Sequence, residues 1–162
     1  MSIWFTPPDL EEMNRRSRDT LVQHIGIEYI AAGDDFLTAT MPVDERTIQP
    51  HGILHGGASV VLAETLGSAA AMHCIDPARQ YCVGLDINAN HIRSVSRGTV
   101  SGTASPAHLG RSTQVWEIRI ADERGRLVCL SRITLAILQR ESTAGDASGS
   151  SPSHPCPENI GG

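Results

Sequence analysis

Residues 57–75 are almost continuously apolar and alanine-rich. In helical projection Ala58, Val61, Leu62, Ala69 and Met72 fall on one side, while Ala63, Leu66 and Ala70 fill much of the rest. The run is too long for an ordinary strand, and apolar residues all round predict a buried helix, ended by Pro77. Elsewhere polarity alternates with a period of two. Residues 26–32 read as a strand, Gly33-Asp34-Asp35 as a turn, and 36–42 as the returning strand, with Phe36, Thr38 and Thr40 opposite Leu37, Ala39 and Met41. Residues 43–54 form a loop. Four more strands follow at 81–94, 98–107, 112–121 and 127–138. Asp122-Glu123-Arg124-Gly125 makes the last hairpin turn, with glycine where a positive φ is needed. Thr6-Pro7-Pro8-Asp9 reads as a helix start with Thr6 as the capping hydroxyl, and Leu10, Met13, Leu21 and Val22 predict one weakly amphipathic helix over 10–24.

This order of elements, joined by short connections, predicts an α+β fold: an antiparallel sheet wrapped around one long buried helix. The expected domain spans 1–140, with 1–24 as an N-terminal helical segment. Residues 141–162 are rich in Ser, Gly and Pro, with little to bury, and predict a disordered tail.

Composition narrows the function. At 162 residues and 17.4 kDa the chain suits one domain. A net charge of −5 and an aromatic content of 4% argue against nucleic-acid binding, which wants a basic face or stacking rings. All thirteen basic residues are arginine, which removes Schiff-base chemistry and the phosphate-loop lysine together. Cys74, Cys82, Cys129 and Cys156 form no C-x-x-C pair, so neither a zinc knuckle nor a thioredoxin-like motif is present. Residues 1–10 have neither a basic end nor an apolar run, and no apolar stretch is long enough to span a bilayer. A reduced, cytoplasmic protein without membrane or nucleic-acid partners is expected.

One segment carries chemistry. From Thr47 to Ile75 the only formal charge is Glu64, bounded by Arg46 and Asp76. A carboxylate within an apolar helix pays desolvation without a local partner. It either pairs with an arginine across a subunit interface or works in a cleft. The helix is approached through Gln49-Pro50-His51-Gly52-Ile53-Leu54-His55-Gly56-Gly57. Two glycines let a ligand come close to the backbone, and first-turn N–H groups suit a carbonyl oxygen gaining negative charge. Ser68, four residues after Glu64, shares its face. Taken singly, Gly56-Gly57 is a tight turn and Ser68 a helix-contact hydroxyl. Taken together, carboxylate, hydroxyl, amide, imidazole and backbone donors suit acyl transfer to water. No G-x-S-x-G elbow is present, and His51 and His55 lack the glutamate and the helix of a zincin.

Residues His55-Gly56-Gly57-Ala58-Ser59-Val60-Val61-Leu62-Ala63-Glu64-Thr65-Leu66-Gly67-Ser68 resemble the signature of the hotdog-fold, PaaI-like acyl-CoA thioesterases. The resemblance continues through Met41-Pro42-Val43-Asp44, Asn88-Ala89-Asn90-His91-Ile92-Arg93-Ser94, His108-Leu109-Gly110 and Gln114-Val115-Trp116, covering about residues 20–138. It is strongest with the branch acting on 1,4-dihydroxy-2-naphthoyl-CoA in menaquinone biosynthesis or proofreading aryl carrier proteins.

The resemblance implies a hotdog fold and roles for particular residues. Glu64 would be the nucleophile or general base, and the Gly56 N–H would polarise the thioester oxygen. Gln49 and His55 would orient the thioester and the departing thiolate, and Ser68 would position water or the carboxylate. Gly84, His91, Arg93, Ser94 and the segment His108, Leu109, Gly110, Arg111, Ser112 would bind the substrate, chiefly the nucleotide end of coenzyme A; read without the resemblance, such residues are a solvated strand edge. Coenzyme A would be part of the substrate, with no resident cofactor or metal. The chain would form a homodimer or dimer of dimers with its site between subunits, and would act on acyl-CoA or on an acyl or aryl carrier protein. His51 stands where relatives often carry an apolar residue, so the acyl pocket or its rim would differ. Two other hotdog activities compete. A non-catalytic acyl-CoA sensor would normally lack the carboxylate and carry a DNA-binding appendage, and a dehydratase needs a differently placed His/Asp pair.

Overall fold

The computed structural model describes residues 1–140, so the expected tail at 141–162 lies outside the described residues. The elements are α1 (Leu10–Arg16), α2 (Leu21–His24), β1 (Glu28–Ala32), β2 (Leu37–Pro42), α3 (Gly56–His73), β3 (Gln80–His91), β4 (Thr99–Leu109), β5 (Thr113–Asp122) and β6 (Leu127–Gln139). The strands form one antiparallel sheet in the order β1-β2-β4-β5-β6-β3, and α3 packs across it.

The side of α3 facing the sheet is set by Ser59, Leu62, Ala63, Leu66, Gly67, Ala70 and Ala71, all buried. They meet Leu37, Ala39, Met41, Trp116, Ile118, Ile133 and Leu135 in a single core. Small residues let the helix lie close: a Cβ on Gly67 would stand 2.3 Å from Ile133 Cγ2. Of the side grouped in projection, Leu62 is wholly buried, while Ala58, Val61, Ala69 and Met72 are half-buried and form a second apolar strip on the helix, so the helix is not buried all round. The sequence could not rank the two strips, because both are apolar. The helix ends at His73, four residues before Pro77, with Cys74 as cap.

The expected single helix over 10–24 is two. Pro7 and Pro8 precede the cap, which is Asp9 rather than Thr6; its carboxylate accepts the Glu12 N–H at 3.1 Å. Ser17 closes α1 with its hydroxyl on Met13 O, and Asp19 at φ 59° turns the chain before α2. Asn14 clasps α1 to β1, exchanging two 2.9 Å bonds with the Tyr29 backbone. The β5–β6 turn follows the sequence reading. Gly125 has φ 72°, and Asp122 Oδ1 accepts the N–H groups of Arg124 and Arg126.

Candidate active site

The loop before α3 is tightly built. The Thr47 hydroxyl, almost wholly buried, donates to Pro42 O at 2.8 Å, and Thr47 O accepts the His55 N–H at 2.8 Å. Gln49 O accepts from Gly52, and Gln49 Oε1 accepts the His51 N–H at 2.9 Å, which leaves the Gln49 amide NH2 as a donor. Leu54 N–H donates to Val95 O at 2.7 Å, and Ile92 N–H to Val128 O at 2.8 Å, so the segment after β3 is pinned beside this loop.

His55 is the N-cap of α3. Its Nδ1 accepts the Gly57 N–H at 2.8 Å, while its carbonyl takes those of Ala58 and Ser59. Among the described residues the Gly56 N–H has no acceptor. The expectation that several first-turn N–H groups stand free therefore narrows to one. Gly56 borders a hollow of about 310 Å³ lined also by Gln49, His91, Arg93 and Ser94, with Ile53, Ser59 and Val128 as walls. His91 lies directly against the turn: a Cβ on Gly56 would stand 2.8 Å from its Nε2. The sequence does not reveal this contact, because the resemblance assigns His91 to the nucleotide end alone.

Glu64 and Ser68 lie elsewhere on α3. The Ser68 hydroxyl donates to Glu64 Oε1 at 3.2 Å. Opposite them runs β3, where a Cβ on Gly84 would stand 3.0 Å from the same oxygen. Leu85 is an extra residue in the β3–β6 ladder at this point, a bulge beside the carboxylate. No cation reaches within 4.0 Å of Glu64 among the described residues, so any charge partner would have to come from a second copy. The thiol beside Ser68 is that of Cys82, 3.9 Å from Ser68 O, and burial raises its pKa, which makes it a poor nucleophile.

One chain does not bring all these groups together. Gly56 and Glu64 are eight residues apart on a helix, about 12 Å along its axis, so no single carbonyl touches both. The substrate-binding segments are equally divided. Leu109, Gln114, Leu135 and Gly84 fall in one row across β4, β5, β6 and β3, whereas His91 stands in the row of Cys129 and Ile120. Those rows are about 20 Å apart along the strands. His108, Leu109, Gly110, Arg111 and Ser112 thus sit at the opposite end of the sheet from His91, Arg93 and Ser94.

Residues 51–129 match the Thioesterase superfamily. The chain is 53% identical over 136 residues to 1,4-dihydroxy-2-naphthoyl-CoA hydrolase of Escherichia coli, spanning 84% of this chain and 99% of that one. It is 54% identical over 136 residues to the proofreading thioesterase EntH of Cronobacter turicensis, spanning 84% and 98%. The chain belongs to the thioesterase superfamily. Its hotdog fold agrees: the crystal structure of a glutamine-to-alanine mutant of thioesterase PA1618 from Pseudomonas aeruginosa superposes with a TM-score of 0.85 at 47% identity, covering 86% of this chain and all of that one. As a thioesterase, the protein holds on its central helix one carboxylate without a cation and one backbone N–H without an acceptor among the described residues, at separate places.

Proposed function

We propose that this thioesterase hydrolyses an aromatic acyl-CoA, either 1,4-dihydroxy-2-naphthoyl-CoA or a benzoyl-type thioester, to the free acid and coenzyme A. The observation that carries the reading is the Glu64 carboxylate, held by Ser68 and facing the space left by Gly84, with no cation beside it among the described residues. As nucleophile it adds to the thioester carbonyl and expels the coenzyme A thiolate, leaving a mixed anhydride that water cleaves. As general base it takes a proton from the water that attacks the same carbon. In both routes the carbonyl oxygen gains negative charge, and the Gly56 N–H stabilises it. The free amide of Gln49 orients the sulfur or the oxygen beside it.

The distance between Gly56 and Glu64 supports a homodimer, or a dimer of dimers, in which each site takes Glu64 from one chain and the Gly56 turn from the other. Two surfaces fit a second copy. Among the described residues the outer edge of β3 is unpaired and exposes Val83 and Leu85, with Ile92 exposed just beyond it, and α3 keeps its half-buried strip of Ala58, Val61, Ala69 and Met72. The same arrangement relieves the separation of the two substrate-binding segments, which then come from different chains. Arg93 and Arg111 take the nucleotide phosphates.

The similarity to EntH supports a second reading, in which an aryl carrier protein bears the thioester. A panel of naphthoyl-CoA, benzoyl-CoA, medium-chain acyl-CoA and aryl-loaded carrier protein decides between them. The proposal expects the highest kcat/KM on an aromatic CoA thioester. Preference for the carrier protein would replace it, and tight binding without turnover would make the protein a non-catalytic acyl-CoA binder. Cytoplasmic location and a place in menaquinone biosynthesis go with the naphthoyl substrate.

A further inference from the structure

We infer that His55 is a positioning residue that acts through the backbone: its imidazole caps α3 and so fixes the Gly56 N–H as the free donor of the site. The inference rests on the proposed role of Gly56 and adds how that role is maintained.

Two successive glycines are the most pliable pair a chain can offer, and at a helix start they fray unless something holds them. Here the hold is the bond from Gly57 N–H to His55 Nδ1 at 2.8 Å, with the His55 carbonyl taking the next two amides. Of the four orphan N–H groups at this helix start, those of Gly57 and Ala58 are thereby engaged and that of His55 donates to Thr47 O, so only Gly56 remains among the described residues. A second observation points the same way. A Cβ on Gly57 would stand 2.9 Å from His55 Nδ1, so the ring folds over residue 57 only because that residue has no side chain. The ring borders a hollow of about 380 Å³ lined by Leu21, Ile25, Ile48 and Val61, on a different surface from the one holding Gln49, His91 and Arg93.

The choice of histidine has a chemical reason. Helix caps are usually Ser, Thr, Asp or Asn. An aspartate would bind the Gly57 amide well but would set a full negative charge beside an oxyanion that the neighbouring amide must stabilise. Imidazole accepts without that charge. With Nδ1 accepting a hydrogen bond its lone pair is committed, so Nε2 is the ring nitrogen left to donate. His55 therefore takes no proton at Nδ1 during the reaction, and only its Nε2–H is available as a donor.

The test compares His55→Ala, His55→Asn, His55→Gln and Gly57→Ala on one aryl-CoA, together with hydrogen exchange at the residue 57 amide in the His55 variants. Asparagine places Oδ1 where Nδ1 was and restores the cap; glutamine imitates Nε2 and does not. His55→Ala and Gly57→Ala should each lower kcat by roughly tenfold or more, with a smaller change in KM, as when an oxyanion donor is mispositioned. His55→Asn should recover most of that loss and keep the Gly57 amide protected, whereas His55→Gln should do neither. Should His55→Ala fail to fold, the asparagine and glutamine variants decide alone. Recovery by glutamine but not asparagine would overturn the inference in favour of direct contact through Nε2, as would a Gly57 amide equally protected in His55→Ala. Inactivity of the wild-type protein on every thioester would sink the proposed function instead, while amide exchange would still report the cap.

Discussion

Gly84 on β3 stands so close to Glu64 on α3 that a methyl group in place of its hydrogen would lie 3.0 Å from Oε1. The glycine leaves the space in which the carboxylate turns, and the bulge at Leu85 follows directly. Gly84→Ala should therefore displace a flexible side-chain end rather than the backbone. The fold should survive with Tm changed by a few degrees at most. Because small misplacements of a reacting group are costly, kcat should fall by about tenfold or more. Gly84→Val should lower it further. Full activity in Gly84→Val would show that Glu64 needs no such space.

The separation of Gly56 from Glu64 predicts complementation. Glu64→Gln and Gln49→Ala should each be nearly inactive. After unfolding and co-refolding in equal amounts, half the dimers are mixed, and each mixed dimer holds one site with both native residues. Activity should then return to about a quarter of wild type. No recovery would place Glu64 and Gln49 in one chain's own site. Light scattering on the wild-type protein should report a dimer or a larger even assembly, and an active monomer would defeat the shared site.

Arg93 borders the hollow at Gly56 and makes no ion pair among the described residues, so its guanidinium is available to a phosphate. Arg93→Ala should raise KM for an acyl-CoA several-fold, with less effect on kcat, and leave the acyl-pantetheine thioester unchanged. An equal loss on the truncated substrate would move Arg93 away from the nucleotide.

Stability should decline on the alkaline side. Burial pushes the Tyr29 hydroxyl up to about 12 from an ordinary value of 10.0, and the Cys74 thiol up to about 12 from 9.0. Between those values the unfolded chain has released protons that the folded one keeps. It binds fewer protons, so the unfolding free energy falls as pH rises, beginning near 9 and continuing to about 12. Denaturant midpoints measured from pH 8 to pH 11 should show this slope, and Cys74→Ala should flatten its first part. A slope unchanged in Cys74→Ala would mean that the thiol is open to solvent.

Local chemistry was legible in the sequence, and long-range placement was not. The charge-free run around Glu64, the Gly-Gly approach and the Asp122-Gly125 turn each depend on neighbours within a few residues, and the structure keeps all three. The break at Asp19 was missed because a weak amphipathic pattern carries across a turn. The cap on α3 was missed because histidine is an uncommon cap and its ring reaches back over Gly57. The opposite placement of Arg93 and Arg111 follows from the order β4-β5-β6-β3, which joins strands by pairing rather than by sequence distance.

Glu64 bears the most weight. Its carboxylate is half-buried, accepts one hydrogen bond from Ser68, and has no cation within reach among the described residues. A carboxylate kept only for structure would pair with an arginine of the second copy across the interface, whereas a reacting one stays free of a cation. Glu64→Gln keeps the shape and removes that charge. It should leave Tm equal or higher and KM little altered, while kcat falls by roughly 10² or more, the scale of a positioned base or nucleophile. Glu64→Asp retains the charge but withdraws the oxygens by one methylene from Ser68 and from the substrate, so it should also be slow. Ser68→Ala removes one hydrogen bond and should cost less than either, about tenfold in kcat. The order Ser68→Ala above Glu64→Asp above Glu64→Gln identifies the carboxylate as the reacting group. Near wild-type hydrolysis by Glu64→Gln would instead give the carboxylate a structural role and move the chemistry to another group in the site.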